Sequence, residues 1–259
     1  MEEHPSKKAK TASEESEYSS WVGVPTVPTI DSKPDKTTLV YWDIRGLAQA
    51  CRLALEYTQQ ADYVDVRIDA GSPSGPHYKQ SWFTIKPEIG MTFANLPYLI
   101  DGEGVAIPQS SAILRHVCRK HGLIPDSLAA AARGDAVLDQ LCDFDSGLTR
   151  MCYGNYNAGK DSWVTTQMVP NLEKFNAVLA KEDKPWFSGD GIGAADFKAY
   201  EEFDKCRIIA PEACADWATA LPALDAFMKR FEALPTIAAY LSSDRFMARP
   251  LNNPHAEFK

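Results

Sequence analysis

Tyr41-Trp42-Asp43-Ile44-Arg45-Gly46 links the first predicted strand of this chain to its first predicted helix. The apolar run that starts at Thr38 predicts a strand over Thr38 to Ile44. From Leu47 to Gln59, apolar residues recur at spacings of three and four, which predicts an amphipathic helix. A strand is therefore expected to lead into a helix through a tight Arg-Gly corner, with a tyrosine near the end of the strand.

The sequence up to Pro125 continues to alternate between strand and helix patterns. The predicted elements are a strand at Tyr63–Ile68, an irregular helical region around Trp82 to Gly90, a hairpin of Tyr98–Ile100 with Val105–Ile107, and a helix over Ser110–His121. Gly122 is suited to end that last helix. The order βαβ and then ββα is that of a thioredoxin-like α/β domain, which we place at residues 37–124.

After Pro125 the pattern becomes helical, and no convincing strand is predicted. Helical periodicity covers Leu128 to Cys152, Thr165 to Ala180, Ala195 to Ile209 and Leu224 to Phe231, with Pro170, Pro211, Pro222 and Pro235 as expected breaks. An all-α domain is therefore predicted over residues 125–259, helical to about residue 241 and irregular after it. Gly193 and Asp196 are expected to cap the central helix.

The first 36 residues differ in composition from the rest of the chain. They are rich in Ser, Pro, Glu and Lys, and Trp21 is almost alone among large apolar side chains. Such a segment cannot bury enough apolar surface to offset the entropy cost of ordering it, so residues 1–36 are predicted to form a disordered tail. The run Lys7-Lys8-Ala9-Lys10 fits a solvated tail better than a nuclear-import signal.

Composition excludes several classes of function. The net charge of −8 argues against binding to nucleic acid or to an anionic membrane surface. No run approaches the roughly 18 apolar residues of a membrane span. The six cysteines form no C-x-x-C and the five histidines show no ligand spacing, so no metal site is predicted. Scattered free thiols favour the cytoplasm over an oxidising compartment.

Three motifs together resemble those of a known family. They are Tyr41 to Gly46, then Asn95-Leu96-Pro97-Tyr98 before a strand, then Gln109-Ser110 at the start of a helix. They resemble the glutathione-binding half of the cytosolic glutathione transferases, and the wording from Tyr41 to Gly46 resembles the mu class in particular. The loop Gly71 to Pro76 is also similar to a mu-class insertion. The resemblance covers residues 38 to about 250.

The resemblance implies that Tyr41 is the catalytic tyrosine. A free thiol has a pKa of about 8.5, so only about 3% of it is thiolate at pH 7. A protonated tyrosine hydroxyl can donate a hydrogen bond to the sulfur anion, and lowering the thiol pKa by about two units requires roughly 2.7 kcal/mol. The alternative from the residues alone is a strand aromatic that packs its ring. Thioredoxin chemistry is excluded because no cysteine occurs in the corner before Cys51.

The resemblance also implies the residues that bind glutathione as a co-substrate, with no other cofactor. They are Tyr41, Trp42, Leu47, Lys79, Trp82, Lys86, Asn95, Leu96, Pro97, Gln109 and Ser110, with Asp143 reaching the site from a second subunit. A cis Leu96–Pro97 bond is expected, whereas the residues alone leave cis and trans open. Ser110 is also suited to be a simple N-cap. Lys79 takes the place of an arginine, which keeps the charge but loses the bidentate fork.

A second catalytic residue and a dimer interface follow from the same resemblance. Tyr153 matches a tyrosine that donates to the oxyanion developing on an apolar electrophile. Asn252 and Asn253 replace an aromatic pocket residue, so a more polar or more open pocket is expected. Phe93 matches an apolar anchor of a homodimer, and Arg115 and Asp135 match charged contacts of its interface.

Three functions share this set of residues. The first is a glutathione transferase that conjugates the thiolate to apolar electrophiles, as in detoxification. The second is a catalytically silent relative that serves as a ligand-binding or structural protein, and the third is a glutathione-dependent isomerase. Retention of Tyr41, Pro97, Gln109 and Ser110 favours the transferase.

Overall fold

The first part of the chain forms a mixed β-sheet. The computed structural model describes residues 26–59, 62–125, 127–182 and 184–259. In these residues the strands are β1 (Thr38–Trp42), β2 (Val64–Ile68), β3 (Tyr98–Ile100) and β4 (Ala106–Pro108). Their order in the sheet is β2-β1-β3-β4; β1 is parallel to β2, and the pairs β1–β3 and β3–β4 are antiparallel. This is the predicted thioredoxin-like topology.

The helices of this domain are α1 (Gln49–Gln59), α2 (Gln80–Ile85) with a 3-10 turn (Lys86–Ile89), and α3 (Ser110–Lys120). β1 is buried along its whole length because it lies between β2 and β3. It ends at Trp42, two residues earlier than predicted, since the Ile44 N–H turns back to the Trp42 carbonyl at 2.8 Å. α1 begins two residues later than predicted because residues 45–48 form the corner.

The rest of the chain is helical, as predicted. Its helices are α4 (Leu128–Gly154), α5 (Tyr156–Trp163), α6 (Val169–Glu182), α7 (Ala194–Ile209), α8 (Pro211–Cys214), α9 (Trp217–Ala220), α10 (Pro222–Glu232) and α11 (Pro235–Leu241). α7 is the central helix, buried on nearly all sides and packed against α4 and α1. α7 therefore carries side chains toward both halves of the molecule.

The prediction that Pro170 breaks a helix is wrong. Proline stands second in α6, and a π-helical turn at Val164–Met168 joins α6 to α5 without interruption. The wider turn changes the hydrogen-bond pattern just where proline removes a donor. Pro211, Pro222 and Pro235 each stand at the start of a helix, where the missing N–H costs nothing.

The cap of α7 forms as predicted. Asp196 accepts a hydrogen bond from the Gly193 N–H at 2.9 Å and another from the Phe187 N–H at 2.7 Å. A Cβ on Gly193 would lie 2.5 Å from the Ser188 hydroxyl oxygen, so a larger capping residue does not fit there. Burial raises the pKa of Asp196 to about 6 against these hydrogen bonds.

Part of the predicted tail is packed on the first domain. Pro28 accepts a hydrogen bond from the Tyr98 hydroxyl at 2.9 Å, and the Ile30 N–H donates to the Ile89 carbonyl at 3.1 Å. Val27 also lies against the core. The disorder predicted for residues 26–36 is therefore wrong, because this stretch supplies partners that composition does not reveal. Residues 1–25 lie outside the described part of the chain. In the described residues, no helix combines the length and apolarity that crossing a membrane requires.

Candidate active site

Tyr41 lies near the end of β1, and its hydroxyl is held by the corner that follows. The Leu47 N–H donates to the Tyr41 hydroxyl oxygen at 3.1 Å. A Cβ on Gly46 would lie 2.6 Å from that oxygen, and Gly46 has a φ of 44°, so the Arg-Gly corner requires glycine for two reasons. Because the oxygen accepts from the backbone, the hydroxyl hydrogen remains available to a ligand.

The Tyr41 hydroxyl remains protonated at neutral pH. Burial raises the pKa of Tyr41 to about 12, although the Leu47 hydrogen bond lowers it. Tyr153, Asp145 and Lys205 act on the same hydroxyl through their charges. A phenol with such a pKa serves as a hydrogen-bond donor at neutral pH and not as a base.

Two distant segments hold the corner in place. The Arg45 and Gly46 N–H groups donate to the carbonyls of Pro250 and Leu251 at 2.9 and 3.0 Å. The Arg45 guanidinium, 1% exposed, forms ion pairs with Glu201 at 2.6 Å and Asp204 at 2.8 Å on α7. The corner that holds the Tyr41 hydroxyl therefore depends on the helical domain and on the C-terminal segment.

An open groove brings together three of the residues expected to bind glutathione. Lys86, Asn95 and Gln109 line this groove of about 570 Å³. Phe93 lines the same groove and is 76% exposed. The groove is thus polar along one side and borders an exposed aromatic side chain.

Two lysines of this region, Lys79 and Lys86, each lie over an aromatic ring. The Lys86 ammonium lies 6.0 Å from the centre of the Trp82 ring, and the Lys79 ammonium lies 5.0 Å from that of Tyr78. Among the described residues, no carboxylate forms an ion pair with either lysine, and burial lowers the pKa of Lys79. These two cations are free to bind a carboxylate. Trp42 is buried at the end of β1, and Leu47 is 41% exposed beside the corner.

The Leu96–Pro97 peptide is cis, as predicted. In the described part of the chain, no other backbone group hydrogen-bonds to Leu96, which lies just before β3. Its N–H and C=O are free for an extended ligand.

Ser110 is the first residue of α3 and does not cap it. The N-cap is Gln109, whose φ is 75°, and no side chain caps the helix. The alternative interpretation of Ser110 as a simple N-cap is therefore wrong. The free N–H groups at this helix start are suited to a carboxylate.

Tyr153, near the end of α4, is covered by the C-terminal segment, residues 242–259. Its hydroxyl oxygen accepts from the Asn253 N–H at 2.9 Å, and its ring centre lies 4.8 Å from that of His255. His255 Nδ1 also hydrogen-bonds to the Tyr78 hydroxyl. Asn252 and Asn253 are both buried, so two amide side chains stand at this place, in line with the more polar of the two expected alternatives.

The sequence did not reveal a buried cluster of charges next to Tyr41. Asp145 on α4 and Lys198, Glu202 and Lys205 on α7 are each at most 7% exposed and pair with one another at 2.7–3.1 Å. Burial opposes ionisation of Asp145, but the two ammonium groups hold the pKa of its carboxyl well below the usual range. Burial raises the pKa of Glu202 to about 6. The spacing of lysine and glutamate by three and four was the available signal, but it also fits a solvated helix face.

Of the remaining predicted residues, Arg115 and Asp135 pair with each other within the chain, whereas Asp143 stands apart from the site. Asp143 is exposed on α4. Arg115 pairs with Asp135 and with Asp139 of the same chain, each at 2.6 Å. In the described residues no group of His, Cys, Asp and Glu has the arrangement of a metal site.

Comparison with known proteins agrees with this geometry. The family model described as "Glutathione S-transferase, N-terminal domain" matches residues 37–119, and the one described as "Glutathione S-transferase, C-terminal domain" matches residues 142–244. Glutathione S-transferase Mu 5 of Mus musculus and Mu 3 of Homo sapiens are each 40% identical over 221 residues, which is 85% of this chain and 94% of each relative. The Pi-class glutathione S-transferase of Onchocerca volvulus superimposes with a TM-score of 0.73 at 29% identity, covering 85% of this chain and 99% of that one.

Proposed function

The chain belongs to the glutathione S-transferase family and is similar to its Mu class, and we propose that it conjugates glutathione to apolar electrophiles. In this proposal Tyr41 ionises the glutathione thiol for the attack. Transferase activity follows from the relatives; the roles of individual residues are our inference. The observation that carries it is the Tyr41 hydroxyl, which accepts from the Leu47 N–H and keeps its own hydrogen for the sulfur.

The tripeptide would lie across the first domain. Its cysteinyl backbone would pair with the free N–H and C=O of Leu96, and its glycyl carboxylate would lie between Lys79 and Lys86. Its γ-glutamyl carboxylate would take the uncapped N-terminus of α3 at Gln109-Ser110. These positions leave the sulfur beside Tyr41.

The chemical step needs a thiolate and a stabilised product. Tyr41 donates to the sulfur anion and so favours it over the neutral thiol. The anion then forms a bond to the electrophilic carbon. Tyr153, whose hydroxyl oxygen also accepts from a backbone N–H, has its hydrogen available for an oxyanion that develops on an epoxide or an enone.

The exposed anchor supports a homodimer. Phe93 is 76% exposed and lines one groove with Phe83, which is 56% exposed, so the two rings offer an apolar patch that a partner subunit would cover. Asp143 is exposed on α4 and would complete the γ-glutamyl site of the partner subunit. The six free cysteines support a reducing compartment, and we place the enzyme in the cytoplasm.

Tyr41→Phe tests the role of Tyr41 because it removes only the hydroxyl. Glutathione should still bind within a few-fold, while turnover at neutral pH should fall about 10- to 100-fold. The pKa of the bound thiol, read from thiolate ultraviolet absorbance, should rise by roughly two units. An unchanged thiol pKa in the mutant would assign the ionisation to another group.

A further inference from the structure

Lys205 is a buried lysine on α7 whose ammonium has three hydrogen-bond partners. It lies 3.1 Å from Asp145 Oδ1, 2.9 Å from Glu202 Oε1 and 3.3 Å from the Gly46 carbonyl oxygen. An ammonium has three N–H donors, so each partner receives one. Two of the three partners are carboxylates of the buried cluster, and the third is the backbone of the catalytic corner.

The Gly46 carbonyl and the Leu47 N–H are the two ends of one planar amide. Lys205 donates to its oxygen, and its nitrogen donates to the Tyr41 hydroxyl at 3.1 Å. A positive charge at the oxygen end polarises the amide and makes its N–H a stronger donor. A stronger donor to the phenol oxygen in turn makes the phenol O–H a stronger donor.

We propose that Lys205 is a positioning residue for the transferase reaction, which acts on the glutathione sulfur through the Gly46–Leu47 amide and the Tyr41 hydroxyl. The chain of hydrogen bonds runs from the ammonium to the amide, from the amide to the phenol, and from the phenol to the thiolate. The inference rests on the proposed role of Tyr41.

The other charged groups near these hydrogen bonds do not reach the Gly46–Leu47 amide. Lys205 is surrounded by Asp145 on α4 and by Lys198, Glu201 and Glu202 on α7. The groups that act on Tyr41 are Tyr153 and Asp145 on α4 and Lys205 on α7. Among these groups in the described structure, only Lys205 hydrogen-bonds to the Gly46–Leu47 amide; Glu201 bonds to the Arg45 side chain instead. Its effect is therefore separable from that of the cluster as a whole.

Lys198 provides a matched control. Its ammonium pairs with the same two carboxylates, Asp145 at 2.7 Å and Glu202 at 2.8 Å, and it is equally buried. The test compares Lys205→Met/Asp145→Asn with Lys198→Met/Asp145→Asn. Each double variant removes one buried ammonium and one carboxylate charge, so neither leaves an extra unpaired ion.

The readout is the pKa of glutathione bound to the full-length enzyme, from thiolate absorbance over a pH series, with kcat and KM measured alongside. Lys205→Met/Asp145→Asn should raise the thiol pKa by about 0.5 to 1 unit and lower kcat at pH 6.5 by about three- to tenfold, with KM for glutathione within about twofold. Lys198→Met/Asp145→Asn should match Asp145→Asn alone. Equal thiol pKa values in the two double variants overturn the proposal.

Two further variants keep the outcome decisive. If Lys205→Met/Asp145→Asn does not fold, Lys205→Gln/Asp145→Asn keeps a neutral donor in the same space and should shift the thiol pKa in the same direction but less; no shift overturns the proposal. Tyr41→Phe separates the two hypotheses. If the thiol pKa is unchanged in Tyr41→Phe, the proposed role of Tyr41 is contradicted. If the thiol pKa shifts in Tyr41→Phe but not in Lys205→Met/Asp145→Asn, only the proposed role of Lys205 is contradicted.

Discussion

Gly46→Ala is expected to lower kcat because the new methyl group displaces the Tyr41 hydroxyl. Loss of stability alone should not account for the lower kcat. The backbone at Gly46 has a φ of 44°, which costs a residue with a Cβ about 1–2 kcal/mol. The added Cβ would also lie 2.6 Å from the hydroxyl oxygen and 2.8 Å from Cε1 of Tyr41. The buried ring cannot move freely, so this overlap adds about 1–3 kcal/mol or displaces the hydroxyl.

Gly122→Ala is the matched control. Gly122 has a φ of 72°, and a Cβ there would meet nothing within 4 Å. It therefore incurs the backbone strain of about 1–2 kcal/mol without the overlap. The two variants together separate loss of stability from displacement of the Tyr41 hydroxyl.

The assay combines denaturant unfolding with conjugation of glutathione to an aryl halide at pH 6.5. Gly46→Ala should lose about 2–5 kcal/mol of stability and at least tenfold in kcat. Gly122→Ala should lose about 1–2 kcal/mol and keep kcat within about twofold. If Gly46→Ala retains the turnover of Gly122→Ala, the corner does not position the hydroxyl and the reasoning fails.

Three other predictions concern assembly, pH and the tail. Phe93→Ala should cost several kcal/mol of dimer association, because large aromatics at interface centres are typical hot spots, and sedimentation at low micromolar concentration should then show monomer; an unchanged dimer contradicts this. Burial disfavours the charged form of Asp101, but hydrogen bonds from the Val105 N–H, Lys120, His116 and the Glu103 N–H outweigh this and lower its pKa to about 2. The stability that Asp101 contributes, about 2 kcal/mol, should therefore be complete above pH 4 and lost as pH falls toward 2; Asp101→Asn should unfold at a midpoint that changes less over this range. Removing residues 1–25 should leave turnover within about twofold. Removing residues 1–36 should lower the free energy of unfolding by about 1–3 kcal/mol, because the Tyr98 hydroxyl loses its hydrogen bond to the Pro28 carbonyl. Equal stability of the two truncated proteins would contradict the packing of this segment.

The sequence predicted the elements that periodicity and turn chemistry determine. The strand and helix around Tyr41, the hairpin after Pro97 and the cap at Gly193 depend on local residue types, and each was found within two or three residues of its predicted place. Pro170 was misread because the π-helical turn that accommodates it has no signature in composition. Residues 26–36 were misread because their ordering depends on partners far away in sequence.

The residues of the candidate site also differ in whether the sequence alone could suggest them. Tyr41 and Pro97 could be proposed from the sequence because their neighbours in sequence form a motif. The role that we propose for Lys205 could not, because the Gly46 carbonyl is 159 positions away in sequence. Lysine and glutamate spaced along α7 predict a solvated face, and only the packing of α4 and of the corner buries them.

The buried Arg45 ion pairs limit how freely the two halves of this enzyme can be recombined. Arg45 belongs to the first half, and its partners Glu201 and Asp204 belong to the second. Removing one side of such a pair costs about 3–5 kcal/mol, because the other charge stays buried without compensation. A chimaera that joins residues 37–119 to the helical half of a relative would therefore keep its fold only where that relative supplies both carboxylates. The same pairs make separate expression of either half unfavourable, since each half would then carry a charge whose partner belongs to the other half.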